Sequence, residues 1–81
     1  MPAFLVKTKS TYDGLETYSV SLVNGNDIDD ANLIALQGQC HDSDAVIDGL
    51  GADDLGGDVV HEVVRTTEVK PEHVAILSQY L

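Results

Sequence analysis

The sequence predicts an α+β domain of order ββαβα, built as a three-stranded antiparallel sheet (strand order 2-1-3) with two helices on one face. Three observations predict it. Two alternating segments flank an Asp-Gly pair, an apolar segment opens on residues suited to capping a helix, and a long β-branched run ends at a proline. At 81 residues the chain makes one domain, 1–81, with one modest core. Val, Ile, Leu and Phe supply 24 residues, enough to fold despite the charge. With no tryptophan and one phenylalanine, that core is aliphatic.

The first strand covers Ala3 to Lys9, where Phe4 and Val6 alternate with Lys7 and Lys9 among the other residues. Ser10 to Gly14 is a turn, with Asp13-Gly14 its sharpest signal. Thr17 to Val23 alternates again, with Tyr18, Val20 and Leu22 opposite Ser19 and Ser21, and completes a hairpin that Asn24-Gly25-Asn26 ends. A helix follows from about Asp27 to Gln37. Asn26 or Asp27 caps its free amides, Asp29 and Asp30 complement its dipole, and Gly38 closes it. Residues 41–58 are rich in Gly and Asp and read as a loop, with one short helical turn capped by Ser43 that buries Val46, Ile47 and Leu50. Val59 to Val69 is the strongest strand, yet both of its faces mix apolar and charged residues. Pro71 then starts a second helix, with Val74, Leu77 and Leu81 at helical spacing.

Charge is the most informative functional feature. From Ser10 to Val64 there is no lysine or arginine, yet twelve carboxylates are present, and the whole chain carries a formal net charge of −10. A field of that sign repels nucleic acid and membrane surfaces and attracts basic protein surfaces. The residues expected to meet such a partner are Asp27, Asp29 and Asp30 at the helix start, and Asp42, Asp44, Asp48, Asp53, Asp54 and Asp58 in the loop. The plain alternatives are that these aspartates serve as caps and turn residues, or that the acidity reflects salt adaptation.

Chemistry-bearing motifs are weak. An EF-hand frame starting at Asp44 puts Gly49 sixth but Val46 third and Leu55 twelfth, where ligands are required. Residues 51–58 match at most one unit of a Gly/Asp calcium repeat, which needs neighbours to stack on. Cys40, His41, His61 and His73 are transition-metal donors at no compact zinc spacing, so no metal and no cofactor are assigned. Cys40-His41 pairs a nucleophile with a base, but no nucleophile elbow, P-loop or dinucleotide glycine pattern accompanies it. The expectation is that the chain is not an enzyme. A single cysteine allows no internal disulfide and suits a reducing cytoplasm, and no signal peptide or membrane-spanning run is expected.

In its charge window 10–64, its size and its ββαβα order, the chain resembles the small acidic inhibitors that phages and mobile elements encode, including anti-CRISPR proteins and other DNA mimics. The resemblance spans the whole chain and carries no signature residues. It implies a stoichiometric inhibitor that presents a nucleic-acid-like surface to the basic groove of a nucleic-acid-binding complex, in a host cytoplasm where phage-encoded. The rival reading is a small assembly module that forms a homodimer or hetero-complex through strand 59–69 or the C-terminal helix.

Overall fold

The computed structural model of the chain describes residues 2–81. Five strands form one antiparallel sheet: β1 (Ala3–Tyr12), β2 (Leu15–Asn24), β3 (Val46–Asp48), β4 (Gly51–Asp54) and β5 (Val59–Val69). Their order is β2-β1-β5-β4-β3. Helix α1 (Ile28–Gln39) lies between β2 and β3, and α2 (Pro71–Ser78) follows β5. The expected 2-1-3 arrangement of the three long strands is present, but it is extended to five strands by a β3–β4 hairpin. The expected helical turn at Ser43 is replaced by that hairpin, because the free edge of β5 pairs Asp54 with Val59 and Gly51 with Glu62. Strand β5 therefore lies inside the sheet, paired along its length with β1 and over Val59–Glu62 with β4.

Asp13 and Gly14 make the β1–β2 turn with φ of 50° and 79°. Two positive φ values match the right-handed twist of the flanking strands, which is why Asp-Gly works here. Tyr12 pairs with Leu15, so the strands run right up to the turn. At the other end Gly25 is a steric requirement, since a Cβ there would lie 2.9 Å from the Ala31 backbone nitrogen.

Helix α1 is capped reciprocally. Asp27 accepts the Asp30 amide at 2.8 Å, while the Asp30 carboxylate accepts the Asn26 amide at 2.8 Å. Gly38 lies inside the helix rather than closing it, and Cys40 is the C-cap. The helix runs across β1, β2 and β5 from the Phe4 end of the sheet toward the Ser10 end. It buries Ala31 and Ala35 against Phe4 and Val6, with Val23 and Val63 packed around them, and buries Leu36 toward its C-terminal end. Buried Asn32 accepts the Thr66 hydroxyl, which ties the middle of α1 to β5.

The register explains the mixed pattern of β5. Thr8 pairs with Val63 and Lys7 with Arg65, which leaves Val64 as a bulge. One extra residue flips the alternation. His61 and Val63 therefore face α1, and beyond the bulge so does Thr66.

The two helices do not share a face. Helix α2 buries no residue, and Ser78 and Leu81 lie beside Val20 and Leu22, on the side of β2 turned away from α1. Among the described residues no helix is long and apolar enough to cross a membrane.

Candidate functional site

At the Ser10 end of the sheet α1 runs out, and three segments converge beneath its last turn. Ser10 of β1 is directly opposite His61 of β5, and Ala52 of β4 is opposite His61 on its other side. Asp54 lies two residues further along β4 on the same face. The Ser10 hydroxyl is 2.7 Å from His61 Nδ1, and His61 Nε2 is 3.1 Å from Asp54 Oδ2. Cys40, at the C-cap of α1, completes the group: its sulfur, one His61 nitrogen and one Asp54 oxygen lie within 4.8 Å of one another. Asp54 is fully buried, His61 nearly so, and Cys40 and Ser10 half-buried.

Asp54 is the hub. Its Oδ2 accepts the His41 amide at 2.8 Å, and its Oδ1 accepts the amides of Asp42 and Leu55 at 2.9 and 3.0 Å. Burial alone would raise its pKa, but these amides and His61 together outweigh burial and hold the carboxyl at about 2. The following residues bend sharply away. Leu55, Gly56 and Gly57 have φ of 52°, 69° and 95°. A left-handed leucine is strained, and here its amide is held by the carboxylate just before it. The Cys40 thiol is pushed up by burial and by the Asp54 charge, so it is a poor nucleophile.

The sequence Ser10–His61–Asp54 has the order of a nucleophile relay. Ser10, however, sits in a strand paired on both sides, with Thr17 and with His61, so the amides around its hydroxyl belong to the ladder. An acyl-transfer site needs amides aimed at a developing oxyanion. The arrangement suits a structural hydrogen-bond chain or a metal donor set better than it suits nucleophilic attack. A cavity of about 340 Å³ opens beside it, lined by Ser10, Tyr12, Gln39, His41, Val59 and His61 among others.

The predicted partner-binding aspartates fall into two groups at opposite ends of α1. A 12-residue helix spans ~18 Å. Asp27, Asp29 and Asp30 stand at its start beside Glu68. Asp42, Asp44, Asp48, Asp53 and Asp58 stand at its other end and along the β3–β4 hairpin. Asp54 does not belong with them: it is buried and consumed by backbone amides, so it cannot meet a partner. Asp42 is partly engaged, accepting the Asp44 amide at 3.0 Å. Asp48 and Asp53 share the face turned away from α1, on neighbouring strands offset by two residues, which sets their Cα atoms about 7–8 Å apart. Glu62, opposite Gly51 on β5, adds to that face.

The cations lie elsewhere. Lys9 bridges Glu16 at 3.1 Å and Glu62 at 2.7 Å, Lys7 lies 5.0 Å from the centre of the Tyr18 ring, and Arg65 sits opposite Lys7. Among the described residues no lysine or arginine pairs with Asp29, Asp44, Asp48, Asp53 or Asp58.

No protein-family model matches this chain, and no curated protein or solved structure matches it either.

Proposed function

We propose that the chain is a non-enzymatic, stoichiometric binding protein acting in the cytoplasm. Its hairpin end presents carboxylates to the basic groove of a nucleic-acid-binding complex, in the manner of the acidic inhibitors it resembles. One observation carries the reading: Asp44, Asp48, Asp53 and Asp58 are exposed along and beside the β3–β4 hairpin, and among the described residues none pairs with a lysine or arginine. An uncompensated cluster raises the local potential, speeds encounter with a basic surface, and leaves its oxygens free for arginine. The capped trio Asp27, Asp29 and Asp30 is a second, separate pole. The proposed contact surface is therefore the hairpin end alone, without the buried Asp54 and beside a Glu62 already paired with Lys9.

The test is capture of partners from a bacterial lysate at low and high salt, followed by displacement with duplex DNA. Binding should fall steeply with salt and be displaced by DNA. Joint Asp→Asn changes at 44, 48, 53 and 58 should abolish it, whereas Glu68→Gln with Glu72→Gln should not. Salt-independent capture would remove charge mimicry.

A second reading rests on α2. Ile76, Tyr80 and Leu81 are exposed, and the helix buries nothing of its own. Exposed apolar residues beside Val20 on the open face suit self-association. Light scattering of Ile76→Glu together with Tyr80→Ser tests it. A monomeric wild-type protein would end this reading without touching the first.

A further inference from the structure

We propose that Cys40, Asp54 and His61 form a transition-metal site suited to zinc, with Ser10 as the outer partner of the histidine. The donors come from three separate segments, the C-cap of α1 and strands β4 and β5, and meet in the interior. A tetrahedral zinc site with bonds of ~2.0–2.3 Å places its ligand atoms roughly 3.4–3.6 Å apart. The His61–Asp54 edge is already 3.1 Å, and no edge of the triangle exceeds 4.8 Å. Closing around an ion thus needs shifts of about 1 Å, within reach of a half-buried cysteine at a helix end.

The surroundings are those of a ligand set rather than of an ordinary buried ion pair. A ligating imidazole gives its second nitrogen to a hydrogen-bond partner, which fixes tautomer and ring plane. His61 Nδ1 has one in Ser10, at 2.7 Å. When Nε2 binds metal, the ring proton resides on Nδ1 and is donated to the Ser10 oxygen. The serine proton is then free to turn toward the adjoining cavity. A ligating carboxylate is held by outer hydrogen bonds, and Asp54 Oδ1 is held by the amides of Asp42 and Leu55.

Charge balance points the same way. The donor set holds two groups that bind metal as anions, the Cys40 sulfur and the Asp54 carboxylate, and together they match the charge of a dication. Sulfur with imidazole and carboxylate selects zinc or cobalt over magnesium and calcium. Of the donors, His61 lines the cavity beside Ser10, Gln39 and His41, and Cys40 lines a separate cleft with His41 and Asp42.

Metal-stripped protein titrated with Co(II) provides the test. One equivalent should bind, with a thiolate-to-cobalt charge-transfer band in the near ultraviolet, displaced by Zn(II) but not by excess Mg(II) or Ca(II). Cys40→Ser should erase the band and weaken zinc binding by ~100-fold or more. Ser10→Ala should keep the band while zinc affinity falls by about 10–100-fold, as for an outer partner. Zinc should raise Tm for the wild-type chain and leave Cys40→Ser unmoved. If His61→Gln does not fold, Cys40→Ser and the wild-type spectrum still decide. Cobalt binding without a thiolate band, or zinc affinity unchanged in Cys40→Ser, would assign the ion to surface carboxylates, and no binding at all would equally overturn the site.

Discussion

Asp53 and Asp54 are neighbours on one short strand and could hardly differ more. Asp53 points to the open face, away from α1, with no cationic partner among the described residues. Asp54 points under α1, fully buried, and gathers three backbone amides and a histidine. The same contrast holds across the sheet. The face under α1 carries Phe4, Val6, Ala52 and His61, all buried; the other carries Tyr18, Val20, Val60 and Arg65, all exposed. One face holds the fold together and the other is available for contact. Identical side chains acquire opposite roles from the parity of their position in a strand.

The largest effect should come from the covered face. Phe4→Ala empties the centre of the core and should lower stability by about 3–5 kcal/mol. Val20→Thr on the open face should stay within about 0.5 kcal/mol. Urea denaturation of both variants measures the difference. Equal losses would mean that the open face is covered in solution, which would favour self-association.

Next comes the aspartate pair. Asp54→Asn should lower Tm by about 10 °C or more, whereas Asp53→Asn should leave Tm unchanged or slightly raised as repulsion eases. Acid unfolding of metal-free protein separates the two further. The folded-state pKa of Asp54 lies near 2, below an ordinary value of about 3.9. Its contribution is therefore fully present above about pH 5 and is lost as pH falls toward 2. The acid limb of Tm against pH should flatten in Asp54→Asn and keep its slope in Asp53→Asn.

How much of this the sequence disclosed varies with the distance over which the cause acts. The β1–β2 hairpin was legible because Asp13-Gly14 specifies its turn locally. The start of α1 was legible from Asp27 and Asp30, and that of α2 from Pro71. The β3–β4 hairpin was not. Gly51-Ala52-Asp53-Asp54 has poor intrinsic strand preference, and it is a strand because β5 offers an unpaired edge. Strand β5 was recognisable but its faces were not, since the Val64 bulge scrambles a period of two. The Ser10, Cys40, Asp54 and His61 cluster was hidden more deeply. Ser10 and His61 are 51 residues apart, and only the β1–β5 register sets them opposite. The Cys40-His41 pair drew attention for its adjacency, yet the imidazole that meets the Cys40 site is His61.

A smaller effect tests the covered face in the opposite direction. Thr8 is buried, and its hydroxyl has no hydrogen-bond partner among the described residues. Thr8→Val keeps the shape and removes a desolvated polar group, so stability should rise by about 1 kcal/mol. A loss instead would indicate that the hydroxyl is satisfied by water entering from the Ser10 end.

The smallest effect belongs to Lys9, at the centre of the open face. It joins β2 to β5 across β1 through Glu16 and Glu62, and those two hydrogen bonds raise its pKa above the usual lysine value. Both glutamates are exposed, so water and salt compete for the same contacts. Lys9→Met should shift Tm by only about 2 °C at low salt, and by less at high salt. The sign with pH is fixed by the raised pKa. The contribution is whole below about pH 10 and is lost only as pH rises through the folded value, so Tm differences between wild type and Lys9→Met should be flat from pH 6 to 9. The variant also bears on binding. Removing this lysine frees Glu62, on the strand next to Asp53, and Glu16 on β2 at the other edge of the sheet, enlarging the negative potential of the open face. If that face meets a basic groove, Lys9→Met should bind more tightly while being slightly less stable. If α2 and the open face instead meet a second acidic copy, the same change should weaken association.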